Sequence, residues 1–273
     1  MPSAPKATLP QRRLPSDKQR SSQKKDASTP KPVVELTTLG ATCEQWFTNR
    51  DQTPFEFQRA TWQAMIAGRN GLLHAPTGTG KTLAAWFGAL CRSSALSTHH
   101  KKTGVRIIWI TPLRALATDT ARALEEPLAD LTEMLGSHWQ VGTRTGDTSA
   151  ADRRRLRQNW PEALITTPES LSILLSLEDS QEIFSDLDTV IVDEWHELLG
   201  TKRGVQTELA LSRLRAIRPG VITWGLSATL ANLDEAVATL VGPTRRDHAQ
   251  LIQANAPRRL EFSTIIPDPI ERF

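Results

Sequence analysis

Ala75-Pro76-Thr77-Gly78-Thr79-Gly80-Lys81-Thr82 constrains the fold more than any other stretch of this chain. An apolar run (Leu72, Leu73) precedes it and an alanine-rich apolar segment starts at Leu83, so it reads as strand, glycine loop, helix. That order suits a phosphate. Gly78 and Gly80 let the backbone curl so that successive N–H groups point inward, and the helix adds its positive N-terminal end. Lys81 is then placed to reach the β- and γ-phosphates of a nucleoside triphosphate, and the Thr82 hydroxyl to ligate Mg²⁺. The usual loop opens with glycine; Ala75 stands there instead.

A second motif lies downstream. Val190-Ile191-Val192 is short, apolar and β-branched, which predicts a buried strand of a parallel sheet. It delivers Asp193-Glu194-Trp195-His196 at its carboxyl end, where open α/β sheets bind ligands. Asp193 suits Mg²⁺ through its water shell; Glu194 suits orienting and deprotonating an attacking water. Acids opening a helix after a strand would read the same way in isolation. The glycine loop tips the balance.

With Ser227-Ala228-Thr229, these residues resemble motifs I, II and III of superfamily 2 helicases of the DEXH type. The chain is more closely similar to the large helicase-related group, in particular its ligase-associated DEXH-box branch of bacterial DNA-repair helicases. Leu73 to Thr82, Trp109-Ile110-Thr111-Pro112-Leu113-Arg114-Ala115-Leu116-Ala117 and Asp193 to Gly200 carry that match, extended by Lys202-Arg203-Gly204-Val205-Gln206-Thr207-Glu208. The resemblance covers roughly residues 45 to 245. It implies ATP and Mg²⁺ as cofactors, single-stranded or forked DNA as substrate, 3′-to-5′ movement, and nuclease and ligase partners in repair.

From residue 42 onward, strand patterns (71–75, 105–110, 139–143, 163–166, 188–192, 221–226) alternate with amphipathic ones (56–67, 82–96, 114–135, 150–158, 169–177, 204–217, 232–241). Such alternation predicts an α/β fold, a parallel sheet flanked by helices on both faces. With the resemblance, this is one RecA-like P-loop domain over 42–245. The resemblance further suggests that Gln58 reads the adenine edge, its amide matching one donor and one acceptor, while Phe47 or Phe55 covers the ring. A polar residue at a helix start is the plainer account of Gln58.

Thr111-Pro112-Leu113-Arg114, Thr145-Gly146-Asp147 and Thr166-Thr167-Pro168 each follow a strand and open a helix. Hydroxyls and free amides at helix starts grip phosphodiesters without reading bases, and they also cap helices; both roles can coexist. In the resembling family these loops form the single-strand track, with Arg114 as the foremost cation. His196, Ser227 and Thr229 would there couple γ-phosphate sensing to movement. Arg153-Arg154-Arg155-Leu156-Arg157 reads first as a solvated helix face, with nucleic acid as the lesser alternative.

Charge is unevenly spread. Residues 1–32 hold eight Lys/Arg and two Asp, which leaves the remainder mildly acidic although the whole chain is +3. The stretch 1–34 reads as a disordered basic tail, rich in Pro, Ser, Lys and Arg; it is either an inert extension or a phosphate-attracting arm. Cys43 and Cys91 are far apart in sequence and lack metal-ligand spacing, which fits a reducing cytoplasm, nucleoid-associated if DNA is the substrate. No apolar run is long enough for a bilayer. Residues 246–273, including Arg258 to Phe262, read as a linker toward a second RecA-like domain. The chain therefore reads as the N-terminal motor half of a longer helicase. The alternatives are a nucleotide-dependent nucleic-acid-binding module that does not unwind, or an RNA helicase.

Overall fold

Seven strands hydrogen-bond in parallel into one sheet. They are β1 Gly71–His74, β2 Ile107–Ile110, β3 Val141–Arg144, β4 Ala163–Thr166, β5 Thr189–Val192, β6 Ile222–Ser227 and β7 Gln250–Gln253, in the order β3-β4-β2-β5-β6-β1-β7. The computed structural model describes residues 33–96, 104–135 and 139–254, all within the unit Val33–Phe273. The basic tail over 1–32 and the Arg258–Phe262 segment lie outside the described residues.

Period-two alternation along the strands sorts their side chains onto two cores. Leu73, Ile107, Trp109, Ile165, Ile191 and Trp224 face one side, where they meet α1 (Val33–Thr48), α2 (Glu56–Ile66), α3 (Lys81–Leu96), α4 (Arg114–Glu125) and α5 (Leu128–Leu135). Leu72, Ile108, Ile110, Leu164, Val190 and Val192 face the other. There they pack on α7 (Pro168–Leu175), α8 (Ser180–Ile183), α9 (Trp195–Leu198), α10 (Lys202–Ile217) and α11 (Leu233–Val241). The remaining helix, α6, is Ala150–Gln158. Burial on both faces explains the apolar runs of β2, β4 and β5.

Three features differ from the sequence expectations. The helix expected over 114–135 is two, because Pro127 cannot donate to the preceding turn; its carbonyl instead accepts Leu131 N–H and starts α5. α1 begins at Val33, ahead of the expected start at 42. β7 lies in the stretch expected as linker, yet it pairs with β1 from Gly71↔Gln250 to His74↔Gln253. Its sequence, Gln-Leu-Ile-Gln, lacks the apolar run of the inner strands because an edge strand stays largely exposed.

The fold also brings Cys43 on α1 and Cys91 on α3, 48 residues apart in sequence, to 3.1 Å between sulfurs as buried free thiols.

Candidate nucleotide site and nucleic-acid edge

The glycine loop runs from the end of β1 to the start of α3. Ala75 N–H donates to Ser227 O at 3.0 Å, so the loop leaves the sheet anchored to β6. Gly78 (φ +80°) and Gly80 (φ +88°) take the left-handed conformations that curl it. Ala75 does not, so alanine fits where the usual loop has glycine. Thr79 Oγ1 donates to Pro76 O at 2.7 Å and braces the turn. Thr77 and Thr82 stand at the loop's crest and in the first turn of α3, exposed and half-buried respectively.

Lys81 is 7% exposed, and its Nζ donates to Ala75 O at 2.8 Å. It therefore clasps the base of the loop. Gln58, 2% exposed on α2, is the second clasp. Its amide nitrogen donates to Gly80 O at 3.2 Å, and its oxygen accepts Phe55 N–H at 2.8 Å.

The sequence left the aromatic partner of Gln58 open between two residues. Phe47, 5% exposed, is wedged between Trp46, Trp62 and Phe87 in the core. Phe55 is 55% exposed and stacks on Phe57 with centroids 5.7 Å apart and planes 12° off parallel. Both rings line a cavity of about 410 Å³ with Glu56, Ala60 and the Ile252-Gln253-Ala254 segment that ends β7. Of the two, Phe55 is the one whose ring meets solvent.

β5 ends with Asp193 N–H donating to Ile110 O at 2.8 Å. The Asp193 carboxylate accepts Glu194 N–H at 3.0 Å on one oxygen and the Trp109 indole N–H at 3.2 Å on the other. Burial, and then the neighbouring Glu194, push its pKa up to about 6 against those two bonds and Lys81. A carboxylate held this way is short of positive charge. The sequence did not single out Trp109, since it sits inside an apolar strand run.

Glu194 has φ 44° and ψ 49°, the left-handed region that residues with side chains seldom enter. The kink separates the two acids, and Glu194 faces His196 Nδ1 at 3.4 Å. Its Oε2 is buried without a hydrogen bond. Hard, oxygen-rich and under-compensated, the pair fits Mg²⁺, which takes few protein ligands and keeps its waters.

His196 Nδ1 also lies 3.2 Å from Ser227 Oγ. Of the two hydroxyls expected to couple with His196, Ser227 makes this contact. Thr229 is exposed beyond the strand and makes no hydrogen bond to it.

On the other half of the sheet, Ile110, Thr166 and Arg144 stand in register on β2, β4 and β3, so the following loops leave at one level. Thr111 is buried and its N–H donates to Thr166 O at 2.9 Å. Thr167 is buried too, its hydroxyl capping α7 at Ser170 N–H (3.4 Å) ahead of Pro168 at the first helical position. Thr145 Oγ1 accepts Asp147 N–H at 3.3 Å. These hydroxyls brace their own loops, and that of Thr167 caps a helix. Pro112 is buried as well. The exposed groups are Arg114 and Asp147, paired at 3.0 Å. The Arg114 guanidinium lies across Gly146, where a Cβ would come within 2.9 Å of it. An exposed pair of this kind is worth little and can be traded for a phosphate.

The DEAD/DEAH box helicase family profile matches residues 55–236, spanning the glycine loop, both acids and Ser227. The chain belongs to this family. It is 35% identical over 256 residues to the Lhr helicase/probable uracil glycosylase of Mycolicibacterium smegmatis, covering 87% of this chain and 17% of that protein. It is 36% identical to the ATP-dependent helicase Lhr-Core of Methanocaldococcus jannaschii, covering 82% of this chain and 27% of the relative. Among solved structures, the Mycobacterium smegmatis helicase Lhr bound to ssDNA and AMP-PNP superposes with a TM-score of 0.71 at 34% identity, over 82% of this chain and 29% of that one. This helicase domain thus spans under a third of the length of each relative named here. None of its described helices is long and apolar enough to cross a membrane.

Proposed function

We propose that this chain is the first motor domain of an ATP-dependent DNA helicase, which hydrolyses ATP to move along single-stranded DNA. One observation carries the reading: the loops that follow neighbouring strands leave one sheet edge side by side. The loops after β1, β5 and β6 form the nucleotide half, and those after β2, β4 and β3 the strand half. They meet where Trp109 of β2 donates to Asp193 of β5. The Lhr structure with ssDNA and AMP-PNP supports it as a related protein that holds both ligands.

In this scheme the loop amides and Lys81 bind the triphosphate, Lys81 giving up Ala75 O. Thr82 and Asp193 hold Mg²⁺, which supplies charge neutralisation at the phosphates. Glu194 orients a water and takes its proton as the oxygen attacks the γ-phosphorus; ADP and phosphate leave. His196 and Ser227 carry the change in phosphate occupancy to β6. The loops at 111–112, 145–147 and 167–168, with Arg114, hold the strand by its phosphates. Repair with nuclease and ligase partners, in the cytoplasm and on the nucleoid, is the setting the resemblance suggests.

The half-motor reading is tested with purified residues 1–273. They should bind single-stranded DNA, hydrolyse ATP slowly, and displace no strand from a forked duplex. An arginine finger is worth ~10³–10⁵ in rate where one has been isolated, and one sheet has nothing to move against. Robust unwinding would overturn the reading. Tighter binding of oligouridylate than of oligodeoxythymidylate would favour an RNA substrate, since the 2′-hydroxyl is the discriminating contact.

Adenine stacking is assigned to Phe55. Phe55→Ala should weaken ATP binding about tenfold while barely moving the melting temperature, since base–aromatic stacking is worth ~1–3 kcal/mol. Phe47→Ala should do the reverse, losing stability through a core cavity. Equal ATP affinity in the wild type and the Phe55 variant, by calorimetry, would remove the assignment.

A further inference from the structure

Arg144 closes β3, the strand at one end of the sheet, and is only 7% exposed. With Ala150, Arg153, Arg154 and Arg157 of α6 it lines a cavity of about 310 Å³. Among the described residues, the Arg144, Arg154 and Arg157 guanidiniums make no ion pair or hydrogen bond, and the acid on α6, Asp152, pairs with Arg155 at 3.5 Å. Burial first, then Arg153 and Arg157, push the Arg144 guanidinium below its ordinary pKa. A nearly buried cation facing further cations is costly unless an anion arrives. Favourable placement near the C-terminal end of a helix accounts for Arg155 and Arg157, but not for Arg144 or the cavity.

The cavity adjoins the strand half of the sheet edge, because Arg153 donates to Gly146 O at 2.9 Å and shares that loop with Arg114 and Asp147. We propose that the Arg144–Arg153–Arg154–Arg157 cavity holds a backbone phosphate of the nucleic-acid strand as it leaves the sheet past β3. This rests on the nucleic-acid edge proposed above and extends it by one subsite. Guanidinium forks suit phosphate oxygens and carry no base preference, so the subsite adds grip without sequence selection.

The test uses residues 1–273 and a fluorescein-labelled twenty-nucleotide oligodeoxythymidylate, with anisotropy read across a salt series. Arg154→Gln/Arg157→Gln changes two exposed, unpartnered side chains, so folding and ATP affinity should stay as in wild type. Oligonucleotide binding at low salt should weaken several-fold, and the slope of log K against log salt should fall by about 0.7, the value for one phosphate contact on a single strand. Arg154→Gln alone serves if the double variant melts early. An unchanged slope, with Arg114→Ala still weakening binding, overturns the subsite and leaves the edge standing. A reduced slope with Arg114→Ala inert keeps the subsite and removes the Arg114 contact. If both variants bind as wild type, the edge and the subsite fall together. Inorganic phosphate that binds by calorimetry yet leaves oligonucleotide affinity unchanged at saturation also overturns the proposal, in favour of a small-anion site.

Discussion

Lys81→Ala should weaken MgATP binding on the order of a hundredfold and leave a cooperatively folded domain. Hydrogen bonds to charged groups are worth ~1.5–3 kcal/mol, and an ammonium between two phosphates makes more than one. The ammonium is buried against Ala75 O. The substitution therefore also leaves one carbonyl short of a partner, at about 1 kcal/mol against a typical domain stability of ~5–15 kcal/mol. Calorimetry with a non-hydrolysable ATP analogue reads the first effect and a thermal melt the second. Equal affinity in both proteins would remove the phosphate-loop assignment. Loss of the melting transition would make Lys81 a fold element first.

Glu194→Gln, made in the full-length helicase, should cut ATP hydrolysis by ~10²–10⁴ and leave MgATP binding intact, since glutamine keeps the shape but takes no proton. Asp193→Asn should act differently. Both Asp193 oxygens accept hydrogen bonds, from Glu194 N–H and from Trp109. Asparagine would turn an NH₂ toward one of these donors and loosen the end of β5, as well as losing a metal ligand. Mg²⁺-dependent nucleotide binding should weaken, and chelator should no longer distinguish variant from wild type. If both substitutions produced one and the same binding defect, the division of roles between the acids would be wrong.

Strands buried on both faces were legible because each is a run of Ile, Val and Leu with the chemistry printed at its end. Val190-Ile191-Val192 followed by Asp193-Glu194 needs no tertiary information to be placed. β7 was not legible, since its pairing with β1 depends on the backbone rather than on apolar side chains. The choice between Phe47 and Phe55 was also hidden, because both are aromatic a short way ahead of Gln58 and only packing buries one. Trp109 shows the limit most clearly. Alternation along β2 puts its ring among core residues, while its indole N–H reaches across to an acid 84 residues later. The burial of Thr111 and Thr167 was also beyond the sequence, since it follows from packing at the sheet edge and, for Thr167, from capping α7.

The left-handed backbone at Glu194 sets the chain's durability against its work. Such a conformation costs on the order of 1 kcal/mol for a residue with a Cβ, and glycine or asparagine would relieve it. A selection on heat resistance alone would drift toward those residues here and discard the acid, with nothing in the melting curve to give warning. The toughest version of this domain and the version that keeps an acid at position 194 are different sequences.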